Sequence, residues 1–105
     1  MTTLPGIWAL TMRTPIGSIH ADMTFTDSDG VLTGTAAGKA ETVRLHDLHS
    51  EVTPHGEHVT WRQSITKPMR LNLDFDVVIT GDTMQGHSRA GRLPKSTVTG
   101  TRHVP

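Results

Sequence analysis

The stretch Met69-Arg70-Leu71-Asn72-Leu73-Asp74-Phe75-Asp76-Val77-Val78-Ile79-Thr80 reads as a strand with one dry face and one wet face. Met69, Leu71, Leu73, Phe75, Val77 and Ile79 alternate with Arg70, Asn72, Asp74 and Asp76. Successive side chains of a strand point to opposite sides of its sheet, so a period of two assigns the first set to an interior and the second to an exterior. The same alternation returns on either side. Near Gly6–Arg13, Trp8, Leu10 and Met12 oppose Ile7, Ala9 and Thr11; near Ser18–Thr26, Ile19, Ala21, Met23 and Phe25 oppose His20, Asp22 and Thr24. Near His58–Thr66, Val59, Trp61, Gln63 and Ile65 turn inward while His58, Thr60 and Arg62 turn out. Three weaker segments follow the rule with smaller inner residues: Leu32, Gly34 and Ala36; Met84, Gly86 and Ser88; Ser96, Val98, Gly100 and Arg102.

Turn chemistry separates these segments at short intervals, at Thr14-Pro15-Ile16-Gly17, Ser28-Asp29-Gly30, Ala37-Gly38-Lys39, Thr53-Pro54-His55-Gly56, Lys67-Pro68, Gly81-Asp82 and Ala90-Gly91-Arg92-Leu93-Pro94. Seven turns imply eight strands. Eight short antiparallel strands with one apolar face each close as an up-and-down β-barrel, which removes exposed edges; a two-sheet sandwich is the rival arrangement. Seventeen threonines, ten glycines and six prolines among 105 residues agree with an all-β chain. The length suits a single domain, 1–105, with one core.

Without cysteine, disulfides, thiolate metal sites and a cysteine nucleophile are excluded. Ten Lys and Arg balance ten Asp and Glu, so no global field draws in nucleic acid or a membrane. The opening Met1-Thr2-Thr3-Leu4-Pro5 has no leader or spanning pattern, and a cytoplasmic location is the expectation. No nucleophile elbow, phosphate loop or dinucleotide fingerprint is present, and no cofactor is expected.

The segment Thr42–Val52 permits two readings. Simple alternation puts Val43, Leu45, Asp47 and His49 inside together, offering a carboxylate and an imidazole for proton transfer. A bulge near Asp47 instead buries Leu48, Ser50 and Val52 and expels both polar groups, which packs better. The histidines make a poor metal set: His46 and His49 differ by three and face opposite sides of a strand, and His55 and His58 flank a turn, so no metal is expected.

Gly6-Ile7-Trp8 in the first strand and Gly100-Thr101-Arg102 in the last resemble the signature of the calycin superfamily, which includes lipocalins, fatty-acid-binding proteins and avidins. Asp29-Gly30-Val31-Leu32-Thr33-Gly34-Thr35 is similar to the second hairpin of avidins. The resemblance implies a calycin-like barrel in which Gly6, Trp8 and Arg102 form the structural signature at a closed end. It extends to small intracellular cyclases and isomerases of the allene-oxide-cyclase type. The chain departs from biotin binders in having no tyrosine and only one further tryptophan, Trp61. It also lacks the helical patterns of secreted lipocalins and fatty-acid-binding proteins, so the resemblance implies a fold and not a ligand.

With Trp8 and Arg102 at one end, antiparallel order sends Arg13, Lys39, Arg44, Lys67, Arg70, Arg89, Arg92 and Lys95 toward the other, joined by a single acid, Glu41. Asp27, Asp29, Glu51, Glu57, Asp76 and Asp82 fall toward the closed end. A cationic rim around an apolar lumen concentrates anions, although charged hairpin tips also serve merely to keep loops soluble. The expected ligand is a small, anionic, apolar-tailed molecule, its headgroup at Arg44, Arg70, Arg92 or Lys95. Its tail would meet Met12, Met23, Trp61, Leu71 and Phe75, and Gln63, Ser88 and Ser96 are polar groups on the inner wall. The alternative is a cofactor-independent isomerase, cyclase or hydratase using Asp47 and His49. Ile7, Ala9 and Thr11 beside Thr97, Thr99 and Thr101 would give a smooth outer patch suited to a homodimer.

Overall fold

A two-faced strand is stable only beside others of its kind, and in the computed structural model of this chain every strand joins one antiparallel sheet. The structure describes residues 3–15, 17–39, 41–66 and 70–103; Lys67 and Met69, expected at the rim and at the start of a strand, lie outside the described residues. The strands are β1 (Gly6–Thr14), β2 (Gly17–Ser28), β3 (Val31–Ala37), β4 (Thr42–Arg44), β5 (His46–Thr53), β6 (Gly56–Ile65), β7 (Leu71–Thr80), β8 (Thr83–Ala90) and β9 (Ser96–Arg102). Their spatial order is β4-β3-β2-β1-β9-β8-β7-β6-β5, so hairpin follows hairpin and β1 pairs with β9. No helix occurs among the described residues. The result is a nearly closed, barrel-like sheet rather than two stacked sheets.

The strand count is nine, not eight, because the segment expected as one strand over Thr42–Val52 is two. β4 pairs with β3 and β5 pairs with β6, so the chain crosses from one edge of the sheet to the other at Leu45, whose N–H donates to the Gly34 carbonyl at 2.9 Å. A Cβ on Gly34 would come within 2.8 Å of the Leu45 side chain and 3.0 Å of Phe25, so the absence of a side chain there lets both pack closely at the crossing. The bulge is present as well. His46 pairs with Arg62 but His49 pairs with Thr60, three steps on one strand against two on the other, and Asp47 takes a left-handed φ of 53°.

Inside, alternation holds. Leu73, Phe75, Val77 and Ile79 of β7 are buried, as are Trp8, Leu10 and Met12 of β1, Met23 and Phe25 of β2, and Val59 and Trp61 of β6. Trp61 sits at the centre of an aromatic stack, parallel to Phe75 at 4.9 Å and edge-on to Phe25 at 5.6 Å. Gly34 takes an inner position beside Phe25, Gly86 beside Val77 and Val98, and Gly100 beside Leu10 and Met84, and such small inner residues give a narrow barrel room for large neighbours.

One end is plugged. The Arg102 guanidinium lies 4.4 Å from the centre of the Trp8 ring, donates to the Pro5 and Thr3 carbonyls and meets Asp82 at 2.9 Å. The Trp8 indole N–H donates to the Leu4 carbonyl at 2.9 Å, and Leu4 is fully buried beneath it. Gly6 is required by geometry, since its φ is +129° and a Cβ would stand 3.1 Å from the guanidinium. Glu57, an inner-face residue of β6, is buried here and accepts bonds from the Thr3 N–H at 2.7 Å, the Thr3 hydroxyl at 2.9 Å and the Ser50 hydroxyl.

Candidate functional site

The strand polarity that plugs one end leaves the other free, where the turns after β1, β3, β6 and β8 gather. Between them opens a cavity of about 480 Å³ that descends into the barrel. Leu10, Met12, Met23, Leu73 and Phe75 form its deeper wall; Ser18, Ile19, Lys39, Glu41 and Ile65 lie nearer its mouth. Small inner residues, Ala21 and Ala36, make the room that larger ones would fill. The Glu41 carboxylate accepts from the Thr66 N–H at 2.7 Å and its hydroxyl at 2.8 Å, tying the β3–β4 turn to the end of β6. This bond spans the rim on the side where the sheet has no ladder.

Of the residues the sequence nominated for a ligand, Met12, Met23, Gln63 and Phe75 line this cavity. Trp61 does not; it stacks behind Phe75 and is almost wholly buried. Leu71 is half-buried opposite Ile65, while Ser88 and Ser96 are paired neighbours on the inner face of β8 and β9, away from the cavity lining. The Ser88 hydroxyl is buried with no hydrogen-bond partner among the described residues.

The expected headgroup cations fall differently. Arg44 and Arg70 are exposed, on the outward side of the alternation in β4 and just before β7, and Arg92 and Lys95 are exposed in the β8–β9 turn. None of the four lines the cavity; among the described residues that do, Lys39 is the cation. The asymmetry of charge along the barrel nevertheless holds. Arg13, Lys39, Arg89, Arg92 and Lys95 cluster at or beside the open-end turns, whereas Asp27, Asp29, Glu51, Glu57 and Asp82 flank the turns at the plugged end.

Asp47 and His49 are not brought to the cavity. The bulge turns both to the outer surface, where the Asp47 side chain is 73% exposed and lies 3.9 Å from Arg62, itself held by Asp74 at 3.0 Å. His49 is exposed and faces outward with its partner Thr60. An acid–base pair acting on a ligand in the lumen therefore has no basis in this geometry.

Sequence reading missed Leu4 at the plug, placed Glu57 toward that end without seeing that it is buried there, and did not single out Gln63 among the polar wall residues. Glu57 was legible: it precedes Val59, Trp61 and Gln63 by the same step of two. Leu4 was not, because it lies before the first strand and its burial depends on where that segment folds back. Comparison of the chain with protein-family models, with curated proteins and with solved structures finds no match.

Proposed function

We propose that this chain is a calycin-like carrier or sensor, an eight-strand barrel design with one strand broken in two, whose lumen takes up a small apolar or amphipathic anion. The observation that carries the reading is an apolar cavity opening through the end of the barrel where exposed Lys and Arg cluster. Apolar walls favour burial of a hydrocarbon or aromatic body by about 25 cal/mol per Å² removed from water, and a basic rim raises the local concentration of anions. Lys39, at the mouth, is the headgroup contact, and Arg13, Arg70, Arg92 and Lys95 act at longer range as a screened field.

Titration of the intrinsic tryptophan fluorescence with a panel of aromatic and fatty acids tests this. Binding to Phe75, stacked on Trp61, changes the emission in a saturable way. Charge reversal at Lys39 weakens binding most, and charge reversal at Arg70 and Arg92 weakens it less and in a manner lost at high salt. Absence of a response across the panel contradicts the reading.

A further inference from the structure

Among the residues described in the wall of the cavity, the buried polar one, Gln63, has its bonding half complete. Gln63 is 7% exposed and lines the cavity among apolar neighbours. The Trp61 indole nitrogen bonds to its side-chain oxygen at 3.0 Å. An indole N–H can only donate, so the carbonyl oxygen of the amide must face it, and the amide NH2 must face the other way. Among the described residues that NH2 has no partner. Its orientation is thus fixed by a buried tryptophan that is itself clamped between Phe25 and Phe75.

A buried donor left without an acceptor costs roughly 1–3 kcal/mol, whereas a water in the open cavity satisfies it at little cost. A purely apolar ligand that fills the cavity displaces that water and leaves the donor stranded. A ligand carrying an acceptor at the right depth replaces the water bond. Selection by a positioned polar group is sharper than selection by apolar fit alone, because the penalty falls on every ligand that lacks the matching atom.

Resting on the reading of the lumen as a binding site, we propose that Gln63 is its specificity-determining residue and that the ligand is bifunctional. It is a small acid whose apolar body bears an uncharged oxygen acceptor, a ketone being the simplest, which accepts from Gln63 Nε2 inside the barrel while its carboxylate remains at the mouth near Lys39.

Calorimetric titration with dodecanoic acid and with mono-oxododecanoic acids bearing the ketone at different positions tests the proposal. At least one oxo acid should bind the wild-type protein about tenfold or more tighter than dodecanoic acid. Gln63→Leu should remove that preference, so that the oxo acids and dodecanoic acid bind the variant with affinities within about twofold of each other. Gln63→Glu, titrated at a pH where its carboxyl is ionised so that it accepts from Trp61 and has no proton to donate, should remove it too. Circular dichroism establishes that each variant is folded, and the wild-type comparison stands without either. If dodecanoic acid binds but no oxo acid binds more tightly, or if the preference survives Gln63→Leu, the role of Gln63 is overturned and the lumen remains a binding site. If none of these acids binds, the reading of the lumen falls, and the role of Gln63 with it.

Discussion

Two carboxylates near Arg102 and Thr3 show how burial decides the worth of a polar contact. Arg102 is mostly enclosed and bonds two backbone carbonyls, the face of Trp8 and Asp82, but the Asp82 side chain is 71% exposed. Solvent screens that ion pair, so Asp82→Asn should cost no more than about 0.5 kcal/mol in urea unfolding. Arg102→Met, which leaves the Thr3 and Pro5 carbonyls without their donor, should cost about 2–3 kcal/mol by the same measurement. Glu57 resembles Arg102 and not Asp82: it is buried and accepts bonds from Thr3 and Ser50, so Glu57→Ala should also cost about 2–3 kcal/mol. Equal losses for Asp82→Asn and Glu57→Ala would show that the plug is not organised by burial. The contact of Trp8 with Arg102 could be anticipated from Gly6-Ile7-Trp8 and Gly100-Thr101-Arg102. The closure by Leu4 and Thr3 could not, because no periodic pattern governs residues outside a strand.

Strands β2, β6 and β7 were readable because their inner and outer residues differ sharply in polarity, so a shift of one residue would expose a whole apolar row, and β1 because the large Trp8, Leu10 and Met12 alternate with smaller or weakly polar residues. The segment 42–53 was ambiguous for the opposite reason: Val43, Leu45, Leu48 and Val52 fit no single phase, and the break at Leu45 with the bulge at Asp47 turns the first three inward while Val52, expected inside with the bulge, stays exposed. Asp47 holds a left-handed conformation that Asp, Asn and Gly tolerate. Asp47→Gly should therefore leave stability within about 0.5 kcal/mol, and Asp47→Val should lower it by about 1–2 kcal/mol; the reverse order would remove the bulge from the account. Below Leu45, β5 has a ladder only with β6. The two-residue turn Pro54-His55 makes Thr53 and Gly56 a bonded pair, and antiparallel bonding alternates, so Thr53 and Glu51 address β6 while Val52 and Ser50 address the seam. Val52 and Val31, on the two sides of that seam, are 66% and 62% exposed. Hydrogen exchange should find the amides of Ser50 and Val52 far less protected than those of Glu51 and Thr53. Uniform protection along β5 would mean that the barrel is closed there.

At the scale of the molecule the ten positive and ten negative charges cancel in sum, and among the described residues those beside the turns mostly separate by sign, Arg13, Lys39, Arg89, Arg92 and Lys95 at the open end against Asp27, Asp29, Glu51, Glu57 and Asp82 at the plugged one, with Glu41 and Arg102 the exceptions. The separation follows from topology: up-and-down order sends alternate turns to opposite ends, so the sign of each turn is written in the sequence once the strand count is nearly right. The cavity was less legible, since its volume depends on how Ala21, Ala36 and the methionines pack, and local alternation carries no information about radius. The most direct test of a lumen that admits ligand from the basic end is methyl NMR of the methionines during titration with dodecanoic acid. Met12 and Met23 line the cavity, and Met84 is buried on the inner face of β8 near the plugged end, away from it. The account predicts saturable shifts of the Met12 and Met23 methyl signals with Met84 unmoved; no shift at Met12 and Met23, or equal shifts at all three, would contradict it.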